Sequence, residues 1–242
     1  RLKQEYFLVS ASLQSLLARC RKRGIPPVRL ADYIALHIND THPALAVPEL
    51  MRLLLDEEGL DWETAWKVTV KTVSYTNHTV MPEALEKWPA LMLQQLLPRI
   101  YMILCEMNDR LCRWLELQYP GDKRRIEEMA VIHHGEVYMA RLAALGSHSI
   151  NGVAALHSQI VREHVLKWYY QVYPQRFNNK TNGISHRRWL HHANRPLAGL
   201  IAEGLGKEWL YEPEQLLRLL AYKEDSVFLE KLAKVKQRNK QA

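Results

Sequence analysis

Two short strand-like runs, each ending in a polar cluster, constrain this chain more than any other feature. Tyr33-Ile34-Ala35-Leu36-His37-Ile38 runs into Asn39-Asp40-Thr41-His42-Pro43, and Thr72-Val73-Ser74-Tyr75-Thr76 runs into Asn77-His78-Thr79. The first, an apolar run bounded by turn residues, predicts a buried strand, and the second predicts another short strand. Helical patterns over residues 44–56 and 62–71 follow the first run, with Pro48 tolerated near a helix start. Few strands, each followed by helix, predict a helix-rich α/β open sheet. Ligands of such sheets bind beyond the carboxyl ends of the strands, so chemistry is sought at Asp40, His78 and, later in the chain, Asn151.

The rest of the chain is mostly helical in pattern. Tyr6, Leu8, Val9, Leu13, Leu16 and Leu17 recur at three- and four-residue spacing and predict a helix over 2–20, stopped by Gly24-Ile25-Pro26-Pro27. Helices are predicted over 82–88 and 89–119, the second long and amphipathic and broken by Pro120-Gly121. Shorter ones follow over 123–129 and 137–145. Gly146-Ser147-His148-Ser149-Ile150-Asn151-Gly152 has the composition of a loop and leads into a helix over 153–170. Residues 176–182 are extended and polar, and three or four helices run from 187 to the end. There are no internal repeats.

Composition narrows the function classes. The chain has 242 residues, 48% of them hydrophobic, and a formal charge of +7. A nucleic-acid binder concentrates its charge. Here Lys and Arg are spread out, dense only at Arg19 to Arg23 and Lys231 to Lys240, where the pattern is that of solvated helix faces. Neither a nucleic-acid nor a membrane partner is expected, since no apolar run approaches the roughly 20 residues of a membrane span. Cys20, Cys105 and Cys112 are too widely spaced for a disulfide framework or zinc cage, which suits a reduced, cytoplasmic setting. The opening Arg1-Leu2-Lys3-Gln4-Glu5 is already in helical register, without Met or signal peptide, so the chain is expected to be part of something longer.

The polar clusters each admit two readings. Asn39-Asp40-Thr41-His42 offers acceptors, a hydroxyl and an imidazole to a ligand, or caps the next helix. Tyr75-Thr76-Asn77-His78-Thr79 offers the mixture of donors and acceptors that sugar hydroxyls require, or is a polar turn. Gly146-Ser147-His148 and Asn151-Gly152-Val153 allow backbone to approach a ligand or a neighbouring strand. His133-His134 and His191-His192 are adjacent, and helix neighbours point too far apart to chelate one ion, so no metal site is expected. Glu49, Glu83 and Glu86 fit helix surfaces, and no pair of hydrolytic carboxylates can be assigned.

Longer strings are more specific. HINDTHPALAVPELMR at 37–52, YTNHTVMPEALEKWP at 75–89, GSHSINGVAALHS at 146–158 and FNNKTNGISHRRWL at 177–190 stand in this order. With the opening RLKQEYFLVSASLQ and the closing LAKVKQRNK, they resemble the α-glucan phosphorylases almost from end to end.

The resemblance implies a GT-B-like two-domain glycosyltransferase. It would phosphorolyse terminal α-1,4-linked glucose of glycogen, starch or maltodextrin to glucose 1-phosphate, with retention. This chain would cover the later part of the N-terminal glucan-binding domain, 1–182, and the opening helices of the C-terminal cofactor domain, 183–242. The family's pyridoxal phosphate, whose phosphate donates and accepts the proton, is held by a lysine outside this chain, so the fragment alone is expected to be inactive. Partners implied are an α-1,4-glucan, inorganic phosphate and a second subunit in a homodimer.

Position by position, His78 matches the histidine whose carbonyl and ring contact the transferred glucose, and Asn182 the asparagine bonding its 6-hydroxyl. Val153 matches a residue lining that subsite, with Asn151 beside it. Asp40, His42 and Glu86 match a polar pocket opening off the glucose site. Thr79 to Glu86 matches a loop gating the cleft, and Trp189 a tryptophan packed near the cofactor. Ser185-His186 replaces the usual Thr-Pro. Met102, Cys105, His134 and Tyr138 replace most of the glycogen-anchoring surface of animal enzymes, leaving only Asn108, which points to a bacterial type. A function of another class is also open, a stand-alone, non-catalytic glycan-binding or scaffold module.

Overall fold

The computed structural model describes residues 1–241. It divides into two compact units, Arg1–Asn182 and a smaller one from Gly183 onward. Helix α1 (Leu2–Lys22) opens the first unit and buries Leu2, Val9, Leu13 and Leu17 along one stripe. Strand β1 (Leu36–Asn39), helix α2 (Ala46–Arg52) widening into a π-turn at Leu53–Glu57, helix α3 (Trp62–Thr72) and strand β2 (Val73–Thr76) follow. Asp61 caps α3, its carboxylate accepting from the Thr64 N–H at 3.0 Å. Next come β3 (Lys87–Pro89), α4 (Ala90–Leu96), α5 (Pro98–Gln118), α6 (Lys123–Met129), β4 (Ile132–His133), β5 (Glu136–Tyr138), α7 (Met139–Leu145) and β6 (Ser149–Gly152). Helices α8 (Ala155–Ile160) and α9 (Lys167–Val172) and strand β7 (Phe177–Asn179) close the unit.

Four strands form a wholly parallel sheet in the order β1-β2-β6-β7. A sheet of this kind carries its apolar residues on both faces and needs helices over each. Ile38, Val73, Tyr75 and Ile150 are accordingly buried and join one continuous core with α1, α2, α5 and α7. The expected helix-rich α/β character is what the chain adopts.

Several local expectations are corrected. The helix predicted over 82–88 is a single turn, Pro82–Ala84, followed by β3, because Trp88 pairs with Val137 of β5. The helix predicted over 137–145 begins as β5 for the same reason, and β3, β5 and β4 make a small antiparallel sheet. Its hairpin turns on His134 and Gly135, with φ of 48° and 74°, the pair of positive values that a two-residue turn of matching twist demands. The single helix predicted over 89–119 breaks at Leu97-Pro98, where Leu97 leaves helical geometry at φ −138° and Pro98 starts α5. The loop predicted at 146–152 is largely strand β6, and the helix over 153–170 departs from regular geometry at Val161–Val165 and breaks at Leu166.

Glu49 is also corrected. It sits on α2 with no exposure, bonded by Tyr6 (2.9 Å), Ser10 (2.7 Å) and both arms of Arg52 (2.8 and 2.9 Å). Every carboxylate oxygen is paired, as burial of a charge requires.

The second unit comprises α10 (His186–Ala193), α11 (Arg195–Leu205), two tight-helical segments at Glu208–Leu210 and Pro213–Tyr222, and α12 (Ser226–Gln241). Its core is small, made of Ala198, Ile201, Leu205 and Trp209. Ile184, Trp189, Tyr211, Leu217, Leu220 and Val227 stay exposed. No helix among the described residues is long and apolar enough to cross a membrane.

Candidate functional site

The four parallel strands end side by side. Asn39 registers with Thr76, Thr76 with Asn151, and Asn151 with Asn178. Backbone bonding continues one step past the strands: Asp40 N–H donates to Thr76 O (2.9 Å), Asn77 N–H to Asn151 O (3.0 Å) and Lys180 N–H to Gly152 O (3.1 Å). The segments that follow are therefore tied to one another at a single edge, which carries Asp40, His78, Asn151, Val153 and Asn182.

His78 is exposed there, and its Nε2–H donates to Asn39 Oδ1 at 2.5 Å. Thr79 is half-buried beside it. Asp40 holds φ 64°, a left-handed conformation that Asp tolerates better than most residues, and its Oδ1 accepts from Thr41 N–H at 2.6 Å. The helix that follows, α2, has no side-chain cap, so this bond closes the local turn and the capping reading does not hold. Asn77 is fully buried; its amide donates to Tyr75 Oη at 3.0 Å, while Oδ1 has no partner among the described residues.

Asn151 is buried, and both ends of its amide are held within the sheet. Thr76 Oγ1 donates to its Oδ1 (2.8 Å), and its Nδ2 donates to Gly152 O (2.9 Å). Its place is thus one of support for the strand end. Val153 N–H donates to His157 Nδ1 (3.2 Å), and Val153 O accepts from Asn182 N–H (2.9 Å). Asn182 itself is exposed. A Cβ on Gly152 would lie 2.5 Å from Ser158 Oγ, 2.6 Å from His157 Nδ1 and 2.8 Å from Ser158 Cα, so only glycine fits between β6 and α8. Burial, and then the nearby His78, hold the His157 imidazole below its usual pKa. His157 therefore stays neutral and keeps Nδ1 available to Val153.

His42 and Glu86 come together in a cavity of about 640 Å3, lined also by Arg1, Glu83 and Trp88. Arg1 Nη2 lies 2.8 Å from Glu86 Oε1, and Arg1 Nε is bonded to Glu5 Oε1 at 2.8 Å. Burial and the neighbouring Glu5 push the Glu86 carboxyl above its usual range. Asp40 stands at the strand end, outside that lining. Within the stretch from Thr79 to Glu86, Met81 is exposed and Pro82–Ala84 forms a turn.

Trp189 lies on α10 of the second unit, 69% exposed. Every lysine of the chain is exposed. No group of three or more His, Cys, Asp or Glu side chains is placed to hold a metal among the described residues.

Sequence reasoning missed Asn39 and His157 as members of this edge. Asn39 was visible only as part of a polar cluster, and nothing local pairs it with a histidine 39 positions on. His157 stands four positions after Val153, the one signal that could have placed it.

A family model described as "Phosphorylase: Carbohydrate phosphorylase" matches residues 1–242. Glycogen phosphorylase of Bacillus subtilis (strain 168) is 54% identical over 241 residues, covering 100% of this chain and 30% of that relative. The muscle forms of Bos taurus and Homo sapiens are 48% and 46% identical over 251 residues, covering 99% of this chain. The chain spans about 30% of the length of the curated relatives it matches.

Proposed function

The chain belongs to the carbohydrate phosphorylase family, and from that premise we propose that it supplies the glucosyl-binding edge of an enzyme that cleaves terminal α-1,4-glucosidic bonds of glycogen or maltodextrin. The acceptor is inorganic phosphate and the product glucose 1-phosphate, with configuration retained. The observation that carries this is the convergence of His78, Val153 and Asn182 at the carboxyl edge of one parallel sheet, tied by hydrogen bonds among their own segments.

An oxocarbenium-like transition state is stabilised by fixed dipoles and a positioned ring more than by another acid. His78 offers its carbonyl and an oriented ring to the transferred glucose, Asn182 its amide to the 6-hydroxyl, and Val153 its side of the subsite. Asn151 and His157 hold that strand end in place, and Gly152 lets α8 close against it. His42 and Glu86, with Asp40 nearby, form the polar pocket beside the site, and Thr79 to Glu86 is the segment that gates it.

The unit Arg1–Asn182 is then the later part of a GT-B-like N-terminal domain, and the unit from Gly183 the opening of the C-terminal one. Pyridoxal phosphate fits this chain in one respect: the exposed Trp189 indole presents a flat face for the ring. A covalently held cofactor uses a desolvated amine, and the exposed lysines here offer none, so that lysine lies outside these residues. When bound, the cofactor's phosphate supplies a proton donor and acceptor. The parent enzyme is read as a cytoplasmic homodimer of bacterial type; the type is supported by 54% identity to the Bacillus subtilis relative against 46–48% to the muscle forms.

The test is product analysis with the full-length protein. Maltodextrin and phosphate should yield glucose 1-phosphate, and His78→Ala should lower kcat/KM at least about tenfold without altering the fold, the loss expected when a group that contacts the reacting sugar is removed. Release of free glucose without phosphate, or an unchanged His78→Ala enzyme, would overturn the reading.

A further inference from the structure

A second cavity lies away from the carboxyl edge and contains none of its residues. It measures about 300 Å3 and is lined by Trp62, Glu63 and Trp66 of α3, by Met107, Arg110, Leu111 and Trp114 of α5, and by Leu145 and Tyr173. Leu145 and Tyr173 lead into the amino ends of β6 and β7. The size suits a monosaccharide or disaccharide, at the small end of the range for ligand pockets.

Its aromatic wall is held in place. Trp114 and Tyr173 stack nearly parallel, with centroids 5.9 Å apart and planes at 16°, and Tyr119 meets Trp114 edge-on at 6.5 Å. The Arg176 guanidinium backs the Tyr173 ring at 4.1 Å and donates to Leu145 O (3.2 Å) and Ser147 O (3.0 Å). Trp114 nevertheless stays 37% exposed. At the rim, Arg110 lies 4.9 Å from the Trp62 ring and is bonded to Glu63 and Glu106. Arg113 Nη2 also lies 3.9 Å from Glu106, so two guanidiniums balance two carboxylates and the rim favours neither an anion nor a cation.

A flat aromatic platform beside a neutralised rim of donors and acceptors suits a neutral, hydroxylated ligand with an apolar face. A glucosyl ring is of that kind: its C–H face packs on an aromatic plane and its hydroxyls both donate and accept. We infer that this cavity is an accessory glucan-binding site, taking one or two units of an α-1,4-glucan away from the strand-end site. The choice of an α-1,4-glucan rests on the phosphorylase reading.

The test is native electrophoresis of the full chain through gels containing soluble amylopectin, with affinity taken from the retardation. The wild type should be retarded. Trp114→Leu keeps apolar bulk but removes the flat ring and should weaken binding about five- to tenfold, as loss of one aromatic contact predicts. Trp114→Phe should stay within about twofold of wild type, by the same argument. Arg110→Gln, which leaves the platform in place, should weaken retention. Thermal melts establish that each variant is folded. Equal retardation of Trp114→Leu and wild type overturns the inference. An unretarded wild type also overturns it; the phosphorylase reading is decided separately by glucose 1-phosphate release.

Discussion

Gly152→Ala puts the packing of the strand-end site under direct test. The added methyl would sit 2.5 Å from Ser158 Oγ, 2.6 Å from His157 Nδ1 and 2.8 Å from Ser158 Cα. A hydroxyl can rotate away, but the Cα is backbone of α8 and the ring is held by Val153 N–H, so β6 and α8 must separate. Overpacking of this kind costs about 1–3 kcal/mol. Loss of the Val153–His157 bond adds about 1 kcal/mol, for a total of roughly 2–4 kcal/mol. Urea denaturation followed by tryptophan fluorescence should show a midpoint lower by about 1 M or more with the slope unchanged. Gly183→Ala, with nothing within 4 Å of its added Cβ, is the control and should fall within about 0.5 kcal/mol of wild type. Adding Ser158→Ala should rescue little, because two of the three contacts remain. If Gly152→Ala matches the control, the close approach of α8 to β6 is wrong.

Glu49→Ala should destabilise the first unit by about 3–5 kcal/mol, since it strips a fully buried carboxylate from Tyr6, Ser10 and Arg52. Glu106→Gln, at an exposed ion pair, should change stability by less than about 1 kcal/mol in the same urea titration. The lowered pKa of His157 means that the folded state binds fewer protons there than the unfolded chain. Its contribution is complete above the ordinary histidine pKa of about 6.5 and is lost as pH falls through that value and below. His157→Asn keeps an acceptor for Val153 and removes the titration, so the drop in stability between pH 7.5 and 5.5 should shrink; an unchanged drop contradicts the neutral-ring argument. Gly199→Ala, in the interior of α11 with open space around it, should stabilise the second unit by about 0.5–1 kcal/mol in thermal melts.

The parallel sheet was legible because its first two strands are short runs with polar clusters after them, and such ends fall at one edge when strands run parallel. Strand β6 was not, because Ser149, Asn151 and Gly152 have turn composition and only the burial of Ile150 between β2 and β7 makes the segment a strand. Residues 82–88 and 137–138 carry helical spacing that pairing between Trp88 and Val137 overrides. The break at Leu97-Pro98 was written in the sequence as a proline and was outweighed there by the amphipathic period around it. Glu49 sat at a position that helix spacing allows on a surface, and only the packing of α1 on α2 buries it. Likewise, the polar clusters around Asp40, His78 and Asn151 could be found by composition, whereas the bonds Asn39–His78 and Val153–His157 arise from backbone placement.

The central claim, that the strand-end residues hold the transferred glucose, is tested most directly by a donor comparison in the full-length enzyme. Asn182 is proposed to bond the 6-hydroxyl, and the alternative is that it serves the turn with Gly183. A 6-deoxyglucosyl donor should react more slowly than the normal donor with the wild type, by a factor corresponding to about 1–3 kcal/mol for a hydroxyl bond lost in a closed site. Asn182→Ala should slow the normal donor in kcat as well as KM and bring the two donors close together. If Asn182→Ala slows both donors by the same factor, the gap between them persists, and the assignment of this edge to the sugar's 6-hydroxyl is contradicted.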